Sequence, residues 1–208
     1  MKRLYLLRHG QTEFNVKKLV QGRCDSPLTD LGRQQARAAA AWLKAHGVVP
    51  DKVVSSPLGR AMDTASLVAT ELLGPDAAVE PCEGIIERSY GTFEEGPHDA
   101  LPADVWDPGE DLIPFGGEGS HALQERMVAT LTNLMSAKDT ETLLAVSHGS
   151  ASRQFIKAAA PEGFELPTKL PNCAIMIFDF EESAPQAEGK PLQCKFTLQQ
   201  IIDPQQRY

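Results

Sequence analysis

Met1-Lys2-Arg3-Leu4-Tyr5-Leu6-Leu7-Arg8-His9-Gly10-Gln11-Thr12 begins with a short apolar run that breaks off into arginine, histidine and glycine. Leu4 to Leu7 reads as a short buried strand opening the domain. The same design returns in Thr142-Leu143-Leu144-Ala145-Val146-Ser147, a largely apolar strand entering His148-Gly149, and Lys52-Val53-Val54-Ser55 reads as a further strand. Helical stretches lie between them. Thr29 is an N-cap for a helix through about Ala45, with Leu31, Gln35, Ala38 and Trp42 marking one face and Gly47 stopping it. Ser56 followed by Pro57 predicts the start of a second helix, which carries Ala61, Ala65, Val68 and Leu72 inward and ends near Gly74-Pro75. A short strand around Ala78-Val79, helices over about Ser120 to Ala137 and Ala151 to Ala159, and strands over Ala174 to Phe180 and Lys195 to Ile202 complete the pattern. A polar loop separates the last two strands.

Strands alternating with helices predict an α/β fold: a three-layer α/β/α sandwich with a mostly parallel central sheet. Ligands of such sheets sit beyond the carboxyl ends of the strands. Arg8-His9-Gly10, Ser55-Ser56 and Ser147-His148-Gly149 all fall at such ends. The 208 residues suit a single domain over 1–208 that buries roughly 70% of its unfolded surface. Residues 81–119 hold much of the Pro and Gly and read as a loop or lid excursion.

Twenty Lys+Arg against twenty-eight Asp+Glu leave a net charge of −8, which argues against nucleic-acid and anionic-membrane partners. No apolar run approaches the ~18–20 residues of a membrane span. The apolar start imitates a signal peptide but is broken at once by Arg8-His9-Gly10, so a cytoplasmic location is expected. Cys24, Cys82, Cys173 and Cys194 are scattered without a Cys-x-x-Cys pair and read as reduced thiols. No metal site is expected.

The chemistry concentrates in Arg8-His9-Gly10-Gln11-Thr12 with Asn15 close behind. Glycine permits a tight strand exit, arginine offers a planar fork for phosphate oxygens, and a neutral histidine beside them can attack phosphorus. At about 5% per residue type, the five fixed positions of R-H-G-x-T-x-x-N recur by chance about once in three million sites. The motif resembles that of the histidine phosphatase superfamily, which includes the cofactor-dependent phosphoglycerate mutases. The resemblance continues in order through Arg23 to Gly32, Ser55 to Ala61 with Thr64-Ala65, Glu87 with Tyr90-Gly91, Gly116-Gly117-Glu118, Ser147-His148-Gly149 and Asn172-Cys173.

This resemblance implies a phosphoglycerate mutase-like fold and a metal-independent enzyme working through phosphohistidine. His9 would be the nucleophile. Arg8, Arg60 and His148 would surround the transferring phosphoryl group, and Glu87 would give a proton to the leaving oxygen and take one from water. A bound phosphate dianion would help keep Glu87 protonated by like-charge repulsion. Thr12, Asn15, Gln21, Gly22, Arg88, Tyr90 and Gly149 are the implied substrate-binding residues.

Hydrolysis of a small phosphorylated metabolite is the leading expectation. From Ser89 to Glu125 there is no Lys or Arg but nine acids, so a second anionic group of a mutase substrate finds few partners. The alternative is a phosphoglycerate mutase primed by 2,3-bisphosphoglycerate. Glu87-Arg88-Ser89-Tyr90-Gly91 is similar to the mutase version of the acid segment, and Lys17, Lys18 and Arg23 are candidates for a second anion site. Phe93, Glu95 and Gly119 depart from the family pattern, which bears on substrate contacts more than on chemistry. A non-catalytic phospho-ligand-binding protein is a third reading. Trp106 and Phe115 are read either as contacts to an apolar part of the substrate or as pins for the loop. A homodimer is an expected possibility.

Overall fold

Alternation along β1 (Lys2–Arg8) feeds two cores at once. Leu4 and Leu6 join Leu143, Ala145, Met176 and Phe178 on one side of the sheet, while Tyr5 and Leu7 join Val53, Leu144, Val146 and Ile175 on the other. A strand buried on both faces is necessarily apolar throughout, which is why it reads as a run rather than an alternation. The computed structural model describes residues 1–102, 104–183 and 193–206.

The remaining strands are β2 (Lys52–Ser55), β3 (Glu80–Pro81), β4 (Thr142–Ser147), β5 (Ile175–Ser183) and β6 (Gln193–Ile202). They form a six-stranded sheet in the order β3-β2-β4-β1-β5-β6. The pairs β1/β4, β4/β2 and β2/β3 are parallel, and β5 and β6 add an antiparallel edge. The polar loop expected between β5 and β6, at 184–192, lies outside the described residues. The helices are α1 (Glu13–Lys17), α2 (Asp30–Ala45), α3 (Gly59–Leu73), α4 (Ser120–Met135) and α5 (Gly149–Ala159). α4 and α5 cover one face, and α2 and α3 the other. No helix among the described residues is long and apolar enough to cross a membrane.

Three expectations shift. The buried face of α2 is Gly32, Gln35, Ala36, Ala39, Ala40 and Leu43, whereas Leu31 is exposed. The face turns by about one residue because small residues, not the larger Leu31 and Trp42, let the helix lie close to the sheet. α3 begins at Gly59 rather than at Ser56-Pro57. Its first N–H groups are capped from a distance: the Asp25 carboxylate accepts from Gly59 N at 2.5 Å and from Arg60 N at 3.3 Å. β3 falls at Glu80–Pro81, just beyond the expected Ala78-Val79. The excursion is built from four single-turn 3₁₀ helices, at Glu83–Ile85, Gly91–Phe93, His98–Ala100 and Ile113–Phe115.

Backbone hydrogen bonds carry the ladder past the strand ends and so place the residues that follow. His9 N donates to Ser147 O at 3.0 Å, and Ser56 N donates to Val146 O at 2.9 Å. The loop after β1 then lies directly against the first turn of α2. A Cβ on Gly10 would come within 2.5 Å of Gly32 O, and one on Gly32 would collide with Gln11 O. Both colliding partners are backbone and cannot swing away. Gly32→Ala is therefore expected to destabilise the protein by about 2 kcal/mol through backbone displacement. A lowered urea midpoint checks this, and an unchanged midpoint contradicts the close approach.

Candidate active site

The carboxyl ends of β1, β2 and β4 bring His9, Ser56 and His148 together. The His9 and His148 rings meet edge-on with centroids 5.2 Å apart. His9 Nδ1 lies 2.7 Å from Gly10 O. A carbonyl only accepts, so Nδ1 carries the proton and Nε2 keeps a bare lone pair. Burial, then the Arg60 and Arg8 charges, hold His9 well below the ordinary histidine range. Neutral His9 is the state a nucleophile requires.

Arg60 enters from the first turn of α3 and is 1% exposed. The 22–25 loop grips it: Nη2 donates to Gly22 O and Nη1 to Cys24 O, each at 2.7 Å, with Asp25 Oδ1 3.3 Å from Nη1. Arg8 donates from Nη1 to Leu170 O. The Nε of each arginine is buried without a partner. Burial lowers Arg8 to about 10, which still leaves it cationic at neutral pH. Two guanidinium groups with unused donors form a site for a doubly charged anion.

Glu87 supplies the opposite charge. Its Oε1 accepts from Arg88 N and Ala151 N, both at 2.8 Å, and its Oε2 accepts from Ser150 N at 3.1 Å. The carboxylate thus rests on the N-terminus of α5, whose orphan N–H groups attract anions.

These groups line a cavity of about 50 Å³ together with Asn15, Gln21, Gly22, Tyr90, Gly149 and the unforeseen Ser150. By this measure a water needs ~10–15 Å³, so the cavity suits a phosphoryl group rather than a whole organic ester. The outer wall is Leu19, Val20, His98, Val105 and Trp106. Asn15 accepts at Oδ1 from Thr12 N and Asn172 Nδ2, which turns its amide nitrogen loose for the cavity.

Three residues expected at the phosphoryl group or substrate do not line this cavity. Thr12 is fully buried and works within the loop, accepting from Asn15 N at 3.2 Å and donating to Gln21 Oε1 at 2.9 Å. Arg88 is fully buried, and it donates to Ser150 Oγ, Gly109 O, Glu118 O and Ser120 Oγ, so its fork closes on the protein itself. His148 stands behind His9, with Nε2 2.7 Å from Ser56 Oγ and Nδ1 buried without a partner. The Ser56 hydroxyl expected to cap α3 serves this histidine instead. Lys17, Lys18 and Arg23 are also absent from the lining, and Arg23 pairs with Glu118 at 3.6 Å.

Sequence reasoning missed Asp25 as the anchor of Arg60 and α3, and Asn172 as the link between Asn15 and His9 O at 3.1 Å. It left His98 unassigned. Asp25 lay within a quoted segment, but only the three-dimensional approach of that loop to Arg60 gives it a task. Phe115 is 41% exposed and packs edge-on against Phe93, away from the cavity, whereas Trp106 lines it.

Residues 4–190 match the profile of the histidine phosphatase superfamily (branch 1). This chain belongs to that superfamily. It is 33% identical over 199 residues to a probable phosphoglycerate mutase GpmB of Escherichia fergusonii, covering 91% of this chain and 90% of that one. A phosphoserine phosphatase of Entamoeba histolytica, solved with 3-phosphoglyceric acid, is 30% identical with a TM-score of 0.67, covering 86% of this chain and 91% of that one. A putative alpha-ribazole-5'-P phosphatase of Escherichia coli is 26% identical with a TM-score of 0.70, covering 95% and 94%. The histidine phosphatase chain is accordingly an enzyme of the phosphatase and mutase group, acting on a small phosphorylated metabolite through phosphohistidine chemistry. Among the described residues no cluster of three or more His, Cys, Asp or Glu is arranged to hold a metal.

Buried neutral histidines carry a stability signature. His148, like His9, is held well below the ordinary range by burial, with Arg60, His9, Arg8 and Arg126 adding to the effect. The unfolded chain takes up protons near pH 6.5 while the folded chain resists them. Their contribution is therefore complete well above pH 6.5 and declines as pH falls below it, by up to about 1.4 kcal/mol per pH unit for each group. Thermal unfolding between pH 7 and 5 should show a shallower loss of stability in His148→Gln than in the unaltered chain. Equal slopes would contradict burial of a neutral His148.

Proposed function

We propose that this enzyme hydrolyses a small phosphomonoester, with water rather than a sugar acid as the final phosphoryl acceptor. One observation carries the reading: among the described residues, Arg8 and Arg60 are the only Lys or Arg side chains that line the cavity. Both belong to the phosphoryl group. A mutase must also hold a second anionic group; of the candidates for it, Arg88 is closed on the protein, Arg23 pairs with Glu118, and Lys17 and Lys18 are exposed and outside the lining. The wall left for the remainder of the substrate is mainly apolar and aromatic.

In this reading Glu87 carries a proton when the phosphate dianion is bound beside it; His9 Nε2 attacks phosphorus as the ester P–O bond breaks, and Glu87 passes that proton to the departing oxygen. Arg8, Arg60 and the Gly149 backbone at the start of α5 meet the oxygens that gain charge. Water then attacks the phosphohistidine, the P–N bond breaks, and Glu87 recovers a proton. Asn15 and Gln21 orient the phosphoryl group, and His148 holds its place beside His9 through Ser56. The name of the Escherichia fergusonii relative favours a second reading, transfer between positions of phosphoglycerate.

Phosphorus NMR separates the two. With 3-phosphoglycerate, with and without 2,3-bisphosphoglycerate, the hydrolytic reading predicts inorganic phosphate, or no turnover there but phosphate release from other monoesters. His9→Ala should lower that release by about a thousandfold or more, the scale on which a nucleophile matters. Rapid growth of a 2-phosphoglycerate signal that the His9→Ala variant lacks would establish the mutase instead.

A further inference from the structure

The strap Val105-Trp106-Asp107 forms part of the cavity wall and is tied down along its length. Tyr90 Oη donates to Val105 O at 2.7 Å. Asp107 reaches α5, accepting from Gln154 Nε2 at 2.9 Å and pairing with Lys157 at 2.5 Å and with Arg153 at 3.8 Å. Between these anchors Trp106 lies against two cations: Arg8 Cζ and Lys169 Nζ are each 5.4 Å from its ring centroid. Cations over an indole face are attracted by the ring quadrupole, and more strongly when water is excluded.

The contact with Arg8 is close and has been given room. A Cβ on Gly149 would lie 3.3 Å from Trp106 Cζ3 and 3.4 Å from Arg8 Nε, so the bare glycine lets indole, guanidinium and the start of α5 pack together. Arg8 itself has a single hydrogen-bonded anchor, Leu170 O, and a buried Nε with no partner. One hydrogen bond fixes where a guanidinium sits but leaves its plane free to rock about that bond. The indole resting on it restricts that motion.

We propose that Trp106 is a positioning residue for Arg8: it fixes the guanidinium plane so that the free donors face the phosphoryl oxygens, and thereby couples seating of the 105–107 strap to completion of the phosphoryl site. The proposal rests on His9 and Arg8 forming the phosphoryl site, and is independent of whether water or a sugar acid receives the group.

Calorimetric titration with orthovanadate and with inorganic phosphate tests it. Vanadate takes up the five-coordinate geometry of phosphoryl transfer, where well-aimed donors matter most, whereas phosphate resembles the ground state. Trp106→Ala and Trp106→Leu should weaken vanadate binding about tenfold, the scale of a partly buried cation–π contact, and phosphate binding distinctly less. Trp106→Phe, which keeps a π face, should recover most of the loss. Equal weakening of both anions, unchanged vanadate affinity, or a leucine variant as good as phenylalanine would overturn the proposal. A His9→Ala variant that bound vanadate undiminished would instead overturn the phosphoryl site itself, and a chain found to be a mutase would leave the Trp106 result standing. Trp42→Phe, remote on α2 where Trp42 stacks on His46, leaves Trp106 as the single tryptophan, and its fluorescence should respond to vanadate.

Discussion

Two guanidinium groups held almost out of water impose the main constraint on this structure. Arg8 is 3% exposed and Arg60 1%, and among the described residues the cavity they share is lined by one carboxylate, Glu87. Burying charge costs several kcal/mol per ion unless hydrogen bonds and counter-charge offset it. The surroundings are arranged accordingly. Carbonyls of Gly22, Cys24 and Leu170 accept from the guanidinium groups, Asp25 approaches Arg60 from the solvent side, and both nearby histidines stay neutral. What is left among the described residues is an excess of positive charge with two unused Nε donors, a deficit that the phosphoryl group of the proposed reaction would fill. Substrate affinity and the strain of an incompletely compensated site are thus two descriptions of the same charge imbalance.

The acidic excursion takes on a different character in this light. Its carboxylates serve mainly as ties. Glu94 accepts from the backbone of Arg23, Cys24 and Tyr90, Glu118 binds Arg126 through both oxygens, Glu110 accepts from His121 N, and Asp107 joins α5. A segment with little regular structure is held over the site by charge-assisted hydrogen bonds together with a small apolar cluster of Val20, Tyr90 and Leu112, against which Phe93, Leu101 and Val105 pack. That arrangement can loosen locally without unfolding the sheet beneath it.

Much of this was legible in the chain because it depends on local rules. Buried central strands announce themselves as apolar runs, Thr29 and Gly47 bound α2, and the residues at the strand ends fall where parallel sheets place ligands. The parts that were not legible depend on distant partners. Ser56 looks like a helix cap until Asp25 takes that task and the serine turns to His148. Arg88 looks like a substrate contact until its donors are found closed on Ser150, Ser120 and the excursion. The buried face of α2 depends on how closely the helix approaches the sheet, and a helical period alone does not set that distance. Trp106 is an aromatic in an irregular segment, and no pattern in that segment tells which cation it will cover.

Covalent chemistry at His9 is the step on which everything proposed for this enzyme depends. Mixing the enzyme with excess p-nitrophenyl phosphate, quenching in alkali within milliseconds, and mapping the peptides by mass spectrometry reads it directly. The arrangement of a bare His9 Nε2 between Arg8 and Arg60 predicts a single phosphoryl group on the peptide containing His9, stable to base, labile to acid, and missing from His9→Ala. Turnover without any phosphorylated His9, or a phosphoryl group carried by His148 instead, would contradict the central claim.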